Sequence, residues 1–184
     1  MSIPVDDIQC NQIYLRQINK TDVQAIFKIY SDNKVTKYLD DPAMERLVHA
    51  EYFIDKVMLG YLNGHLLEWA IVEKNKNSLI GTIHYKEWDY KHGHAEIGFA
   101  LSREWWGKGI MKELLSPFLQ FGFNELKLNR IQANIHTSNK TCTKLFENFG
   151  FKIEGILRER FCLNNTPQDV MVVSLLKNES KLLI

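Results

Sequence analysis

Ala95-Glu96-Ile97-Gly98-Phe99-Ala100-Leu101-Ser102-Arg103-Glu104-Trp105-Trp106-Gly107-Lys108-Gly109-Ile110-Met111-Lys112-Glu113-Leu114-Leu115 is the stretch that decides the fold. Ile97, Phe99 and Leu101 alternate with Glu96, Gly98 and Ala100, which is the period of a strand. Two glycines follow, and Ile110, Leu114, Leu115 and Phe118 then recur at helical spacing. A glycine-rich strand-to-helix junction lets backbone approach a ligand closely, because no Cβ intervenes. The first-turn N–H groups lack helical partners and the helix dipole favours negative charge there. The segment reads as a cradle for phosphate or pyrophosphate, and equally fits an ordinary turn before a core helix.

Two other phosphate cradles fail on these residues. A P-loop needs Ser or Thr after Gly107-Lys108, where Gly109 stands, and a glycine at Ser102. A dinucleotide-binding fingerprint needs a third glycine at Lys112.

Outward from the junction, the chain of 184 residues reads as one domain, residues 1–184, long enough for a sizeable core. Lys and Arg total 23 against 22 Asp and Glu, so no bulk charge draws it to nucleic acid or membrane. Met1 to Asp7 show neither a basic region nor an apolar run, so no signal peptide is expected. No apolar stretch has membrane-spanning length. Cys10, Cys142 and Cys162 are odd in number and far apart, which suits reduced thiols and a cytoplasmic setting. No cysteine pair has zinc spacing, and His92-Gly93-His94 lacks a carboxylate or cysteine at coordinating spacing, so no metal is expected.

The pattern predicts a strand over Ile13 to Ile18 and a helix carrying Val23, Ile26, Phe27 and Tyr30. A second helix is expected after Asp41-Pro42, burying Leu47, Ala50, Ile54, Val57, Met58 and Tyr61 and closed by Asn63-Gly64. Strands follow over Leu66 to Glu73, Leu79 to Trp88 and His94 to Leu101, then the junction helix with Pro117 as a kink or a tolerated defect. Leu128 to Thr137 reads as a strand, Ser138 to Phe149 as a helix ended by Gly150, and Phe151 to Leu157 and Val170 to Leu176 as final strands. This is an α/β (α+β) order with a mixed, mostly antiparallel sheet flanked by helices.

That order resembles the GNAT superfamily of acyl-CoA-dependent N-acetyltransferases, whose sheet splays between its fourth and fifth strands. Its signature Gln/Arg-x-x-Gly-x-Gly/Ala reads here as Glu104-Trp105-Trp106-Gly107-Lys108-Gly109, with Glu104 in place of Gln or Arg. Ala95-Glu96-Ile97-Gly98-Phe99, Trp106-Gly107-Lys108-Gly109, Asn139-Lys140-Thr141-Cys142 and Asn148-Phe149-Gly150-Phe151 resemble the RimJ/RimL branch, which acetylates ribosomal-protein N-termini. Glu154 to Arg158 and Asp169 follow the same branch's C-terminal pattern.

The resemblance implies an acetyl-CoA cosubstrate and direct attack by a primary amine in a ternary complex. It implies backbone amides of Gly107, Lys108, Gly109, Ile110 and Met111 on the pyrophosphate, Trp106 beside it, and the strand around Leu101 pairing with the pantetheine arm. Asn139 stands at a pantetheine-binding position and equally suits a helix N-cap. Cys142 occupies the place of a serine that protonates the departing thiolate, and equally suits a small buried helix residue. Glu96 is the leading base, or a solvent-facing carboxylate; Asp169 and His84 are lesser candidates, and Phe161 stands where some members carry a late-strand glutamate. The acceptor is left open among a protein N-terminus, a polyamine and an aminoglycoside-like amine. A non-catalytic acyl-CoA sensor is the rival from another class, and the late strands could pair two copies as a homodimer.

Overall fold

The computed structural model describes residues 8–163 and 166–181. Met1 to Asp7, read above for a leader, lie outside the described residues. Seven strands form one sheet: β1 (Ile13–Gln17), β2 (Leu66–Glu73), β3 (Ser78–Asp89), β4 (His94–Leu101), β5 (Arg130–His136), β6 (Lys152–Leu163) and β7 (Thr166–Leu176), in the order β1-β2-β3-β4-β5-β7-β6. Every pairing is antiparallel except β4 with β5. The helices are α1 (Val23–Tyr30), α2 (Asn33–Thr36), α3 (Leu47–Asn63), α4 (Ile110–Asn124) and α5 (Lys140–Asn148).

Alternation along the strands sorts residues onto two faces. On one, Leu15, Trp69, Ile71, Ile83, Tyr85, Ile97 and Ile131 pack against Leu114, Leu115, Phe118 and Phe121 of α4. The Tyr85 ring stacks on Phe118 at 4.5 Å and its hydroxyl donates to the Phe118 carbonyl at 2.9 Å. Gly122 permits that approach, because a Cβ there would lie 2.5 Å from the tyrosine oxygen. On the other face Ala70 and Val72 pack with Ile26 of α1 and Ala50, Ile54 and Val57 of α3.

Helix α4 runs unbroken through Pro117, so the defect is tolerated. Phe118 and Leu119 next to it are wholly buried, and their packing holds the helix where one hydrogen bond is missing. Two expectations need correction, and one short helix is not among those expected. Helix α3 starts at Leu47 with Arg46 at its N-cap, so Asp41-Pro42 lies in the preceding loop. Met58 is 42% exposed, because it falls beyond the buried stripe of Ala50, Ile54 and Val57. The four-residue α2 has too short a pattern to show periodicity, though Asp32 caps it by accepting from the Lys34 amide.

Candidate active site

The parallel pair β4–β5 is joined at only three positions, His94↔Arg130, Ala95↔Ile131 and Glu96↔Gln132. Past Glu96 the two strands part, leaving a V-shaped gap between Ile97–Leu101 and Ala133–His136. The Ser102 amide donates to the Ile80 carbonyl, and the Ala100 carbonyl points at Gly81, so these groups face β3. By strand alternation the amides and carbonyls of Phe99 and Leu101 face the gap. The gap edge of β4 is thus a half-made ladder for an extended chain.

Trp106 modifies that ladder. Its indole Nε1 donates to the Leu101 carbonyl at 2.7 Å, while the ring stays 46% exposed. The Leu101 carbonyl is therefore taken, and Phe99, which sequence reasoning did not single out, contributes the strand's other donor and acceptor. Beyond Trp106, Gly107 and Gly109 have φ of +71° and +80°, left-handed conformations that glycine adopts without penalty. A Cβ on either would meet nothing within 4 Å, so the loop borders open space. Gly109 is the N-cap of α4 and makes no side-chain cap bond. The first-turn amides of Ile110 and Met111 thus open the helix without a side-chain cap, as an anion cradle requires. Lys108 lies over the Trp105 ring at 4.8 Å. Glu104, in the signature's Gln/Arg place, accepts from Lys28 at 2.9 Å, and that contact lowers its carboxyl below the usual range.

Across the gap Asn139 caps α5: its side-chain oxygen accepts from the Cys142 amide at 3.2 Å. Cys142 is packed against the main core, and burial pushes its thiol up to about 12. It holds its proton firmly. Protonating a thiolate of ordinary pKa, ~8.5, would run uphill by about 3.5 pKa units, or about 5 kcal/mol.

On the α1–α3 face of the V, Glu96 is 5% exposed. One of its oxygens accepts from Asn134 of β5 at 2.6 Å and the other from Lys86 of β3 at 2.9 Å. Burial raises the carboxyl more than the Lys86 hydrogen bond and charge lower it. Burial also depresses Lys86, but Glu96 and Asp40 outweigh this and hold the ammonium above its ordinary value. The pair locks the vertex of the V. Behind it, Tyr30 of α1 and Thr82 of β3 share a hydroxyl contact at 2.7 Å, and the Thr82 hydroxyl donates to buried Glu68 of β2 at 2.7 Å.

At the open end of β5, His136 is 5% exposed, beside Tyr38 and against Phe161 of β6, and its Nε2 is without a partner. Asp169 accepts from the Glu159 amide at 2.9 Å, which supports a left-handed turn at Glu159 (φ +52°) in β6. Lys86, Asn134 and His136 were missed. The available signal was the polar alternation Gln132, Asn134, His136 in an otherwise apolar strand. A concavity of about 520 Å³ lined by Lys28, Asn77, Ser102 and Glu104 lies beside the junction rather than within the V. No group of three metal-ligating side chains occurs among the described residues, and no described helix is long and apolar enough to cross a membrane.

Comparison with known proteins bears on this geometry. Residues 12–152 match the model of the acetyltransferase (GNAT) domain family. The uncharacterized N-acetyltransferase YoaA of Bacillus subtilis (strain 168) is 34% identical over 170 residues, covering 92% of this chain and 96% of that protein. The crystal structure of spermidine N-acetyltransferase from Vibrio cholerae, in complex with CoA and spermine, superposes with a TM-score of 0.81. It is 25% identical, over 91% of this chain and 97% of the other. The ribosomal-protein-S5-alanine acetyltransferase of Vibrio fischeri shares the fold, with a TM-score of 0.82 and 20% identity over 96% and 99% of the chains.

Proposed function

The chain belongs to the GNAT acetyltransferase family and is an acetyl-CoA-dependent N-acetyltransferase, and on that premise we propose that its acceptor is a single primary amine at the N-terminus of a protein or peptide. One observation carries the choice: the Glu96 carboxylate at the vertex of the cleft is already committed to Lys86 and Asn134, and Lys86 also pairs with Asp40. A polycation needs several uncompensated carboxylates along its length, whereas a peptide end brings one ammonium followed by amide backbone. Tyr38, His136 and Phe161 at the open end of the V supply a weakly charged, aromatic wall for such a segment. This supports the branch that acetylates ribosomal-protein N-termini. The polyamine reading is the second, favoured by the likeness to the Vibrio cholerae spermidine enzyme.

Within this reading the cradle amides of Gly107, Lys108, Gly109, Ile110 and Met111 hold the coenzyme pyrophosphate. Trp106 orders the Leu101 carbonyl next to it, and the gap edges of Phe99 and Leu101 hold the pantetheine arm. Asn139 acts first as the cap of α5, its side-chain oxygen taken by the Cys142 amide, and its amide nitrogen would donate to the arm. The cosubstrate when bound supplies an activated acetyl thioester. The chain's residues position that carbonyl and the amine, which must be free of its extra proton to attack. Glu96 has one property of a base, a carboxyl raised by burial, but its oxygens are committed to Lys86 and Asn134. We assign it the locking of the vertex. Cys142 serves as a half-buried helix residue packed against the core.

The exposed Ile153, Ile156 and Leu157 on β6, the last strand of the sheet, support pairing with a second copy, which sedimentation would test. The deciding experiment for the function is thiol release from acetyl-CoA with peptide N-termini, polyamines and aminoglycosides side by side. Release with peptides above the others is expected. Preferred release with spermidine overturns the acceptor, and coenzyme binding without release against the whole panel makes the chain a sensor.

A further inference from the structure

We propose that His84, oriented by the buried carboxylate of Glu68, takes the proton from the acceptor's ammonium; this rests on the acetyltransferase reading above. His84 lies on β3 directly opposite Gly98 of β4. Gly98 is on the same face as Glu96, two residues beyond it, and so just past the last rung joining β4 to β5. The imidazole lies over that glycine: a Cβ on Gly98 would fall 2.4 Å from Nε2 and 2.7 Å from Cε1. Gly98 is not in a left-handed conformation, so its backbone gives no reason for a glycine. The histidine ring does. It places Nε2 against bare backbone, one residue from the Phe99 groups that face the gap.

The ring's other nitrogen is turned inward. Nδ1 is 3.8 Å from a carboxylate oxygen of Glu68, whose side chain is 4% exposed. The same oxygen accepts the Thr82 hydroxyl, which is itself in contact with Tyr30. The 3.8 Å separation is too long for a hydrogen bond, but a buried carboxylate on this side of the ring electrostatically favours the tautomer with the hydrogen on Nδ1, leaving the Nε2 lone pair for the cleft. The His84 side chain is 22% exposed, so it is reachable without being on the open surface. The charged or titratable groups around it are Glu68 on β2, Tyr30 on α1, Lys86 on its own strand and Glu96 on β4. Glu96 is committed to Lys86 and Asn134, and Asp169 to the Glu159 amide.

The step balances as follows. The ammonium gives one proton to Nε2, making an imidazolium beside Glu68. The freed nitrogen lone pair forms the C–N bond at the thioester carbonyl, the C–S bond breaks, and the thiolate leaves with its electron pair. The second nitrogen proton goes to that thiolate, giving amide and thiol. Nε2 returns its proton to water.

The test varies the acceptor's basicity at fixed pH 7.5. Two small primary amines of similar size are compared, one an alkylamine almost wholly protonated and one so weakly basic that it is already free. For His84→Gln, kcat/KM with the basic amine should fall by about 10²–10⁴-fold. With the weakly basic amine it should stay within about threefold, with the coenzyme Kd unchanged, since that acceptor needs no base. Gly98→Ala, which displaces the ring without removing it, should show the same selective loss and covers the case in which His84→Gln folds poorly. A long-range ¹H–¹⁵N spectrum of the unaltered protein, assigned by the resonances lost in His84→Gln, should show the Nδ1–H tautomer without any substrate. Equal losses for both amines, no loss for either, or an Nε2–H tautomer overturns the assignment. Absence of thiol release by the unaltered protein with every amine would instead overturn the function on which it rests.

Discussion

Cys142→Ala separates an acid in the mechanism from a buried helix residue, and it does so through the pH dependence of stability. In the folded protein burial pushes the thiol to about 12, against an ordinary 9.0. Between those values the unfolded chain loses a proton that the folded chain keeps. The group's raised pKa therefore leaves stability intact below pH 9 and removes it progressively as pH rises toward 12. With these values the thiol contributes almost nothing to the change at pH 7, and costs roughly 1 kcal/mol by pH 10. The pH 10 figure hardly depends on the folded value, because the unfolded thiol does nearly all the titrating there. Alanine removes this slope and adds a pH-independent offset for the lost sulfur contacts. Urea unfolding of both proteins at pH 7, 8, 9 and 10 should show the gap between them shift by roughly 1 kcal/mol in favour of alanine; all other groups titrate alike in the two and cancel. Turnover at pH 7.5 should stay within about threefold, since a donor this weak gives little to a departing thiolate. A flat difference across pH, or a hundredfold fall in kcat with the coenzyme Kd unchanged, would refute the reasoning.

The cradle gives a second prediction: Gly109→Ala meets no clash but forces a side chain into φ +80°, for a stability loss of about 1–2 kcal/mol, and it should weaken coenzyme A binding in calorimetry by more than this strain would suggest. Trp106→Phe removes the donor to the Leu101 carbonyl, a bond already made in the unliganded protein, and should cost about 0.5–1.5 kcal/mol in urea unfolding; a stability unchanged alongside a raised coenzyme Kd would make Trp106 a ligand rather than a brace for the strand. Asn139→Ala removes the cap of α5 and should cost about 1 kcal/mol in urea unfolding; a stability unchanged alongside a weakened coenzyme would make Asn139 a ligand rather than a cap. Glu96→Gln leaves Lys86 with only Asp40 and should cost about 1–3 kcal/mol, less than a fully buried broken pair, while the shape of the pH–rate profile stays the same.

What the sequence made legible and what it did not divide along the range of the interactions. β2 and β4 are read to the residue and the strand-to-helix junction to its two left-handed glycines, because alternation and a left-handed turn are local properties of consecutive residues. The cap at Asn139 is legible for the same reason. The site's polar side chains are not, because each acquires its meaning from a strand far away in the chain. Glu96 reads as a plausible base only while its register is unknown. Once β3 lies beside β4, Lys86 is its direct partner, and once β5 joins, Asn134 takes the remaining oxygen. Cys142 reads as a thiol of ordinary acidity until α5 is packed on the core. Gly98 shows the limit most plainly. Within the strand pattern it is a weak residue with no local justification, and its cause sits fourteen residues earlier in His84, visible only when the hairpin closes. A glycine with an ordinary φ inside a buried strand is therefore a pointer to whatever lies over it, and here it points to an imidazole beside the vertex of the cleft.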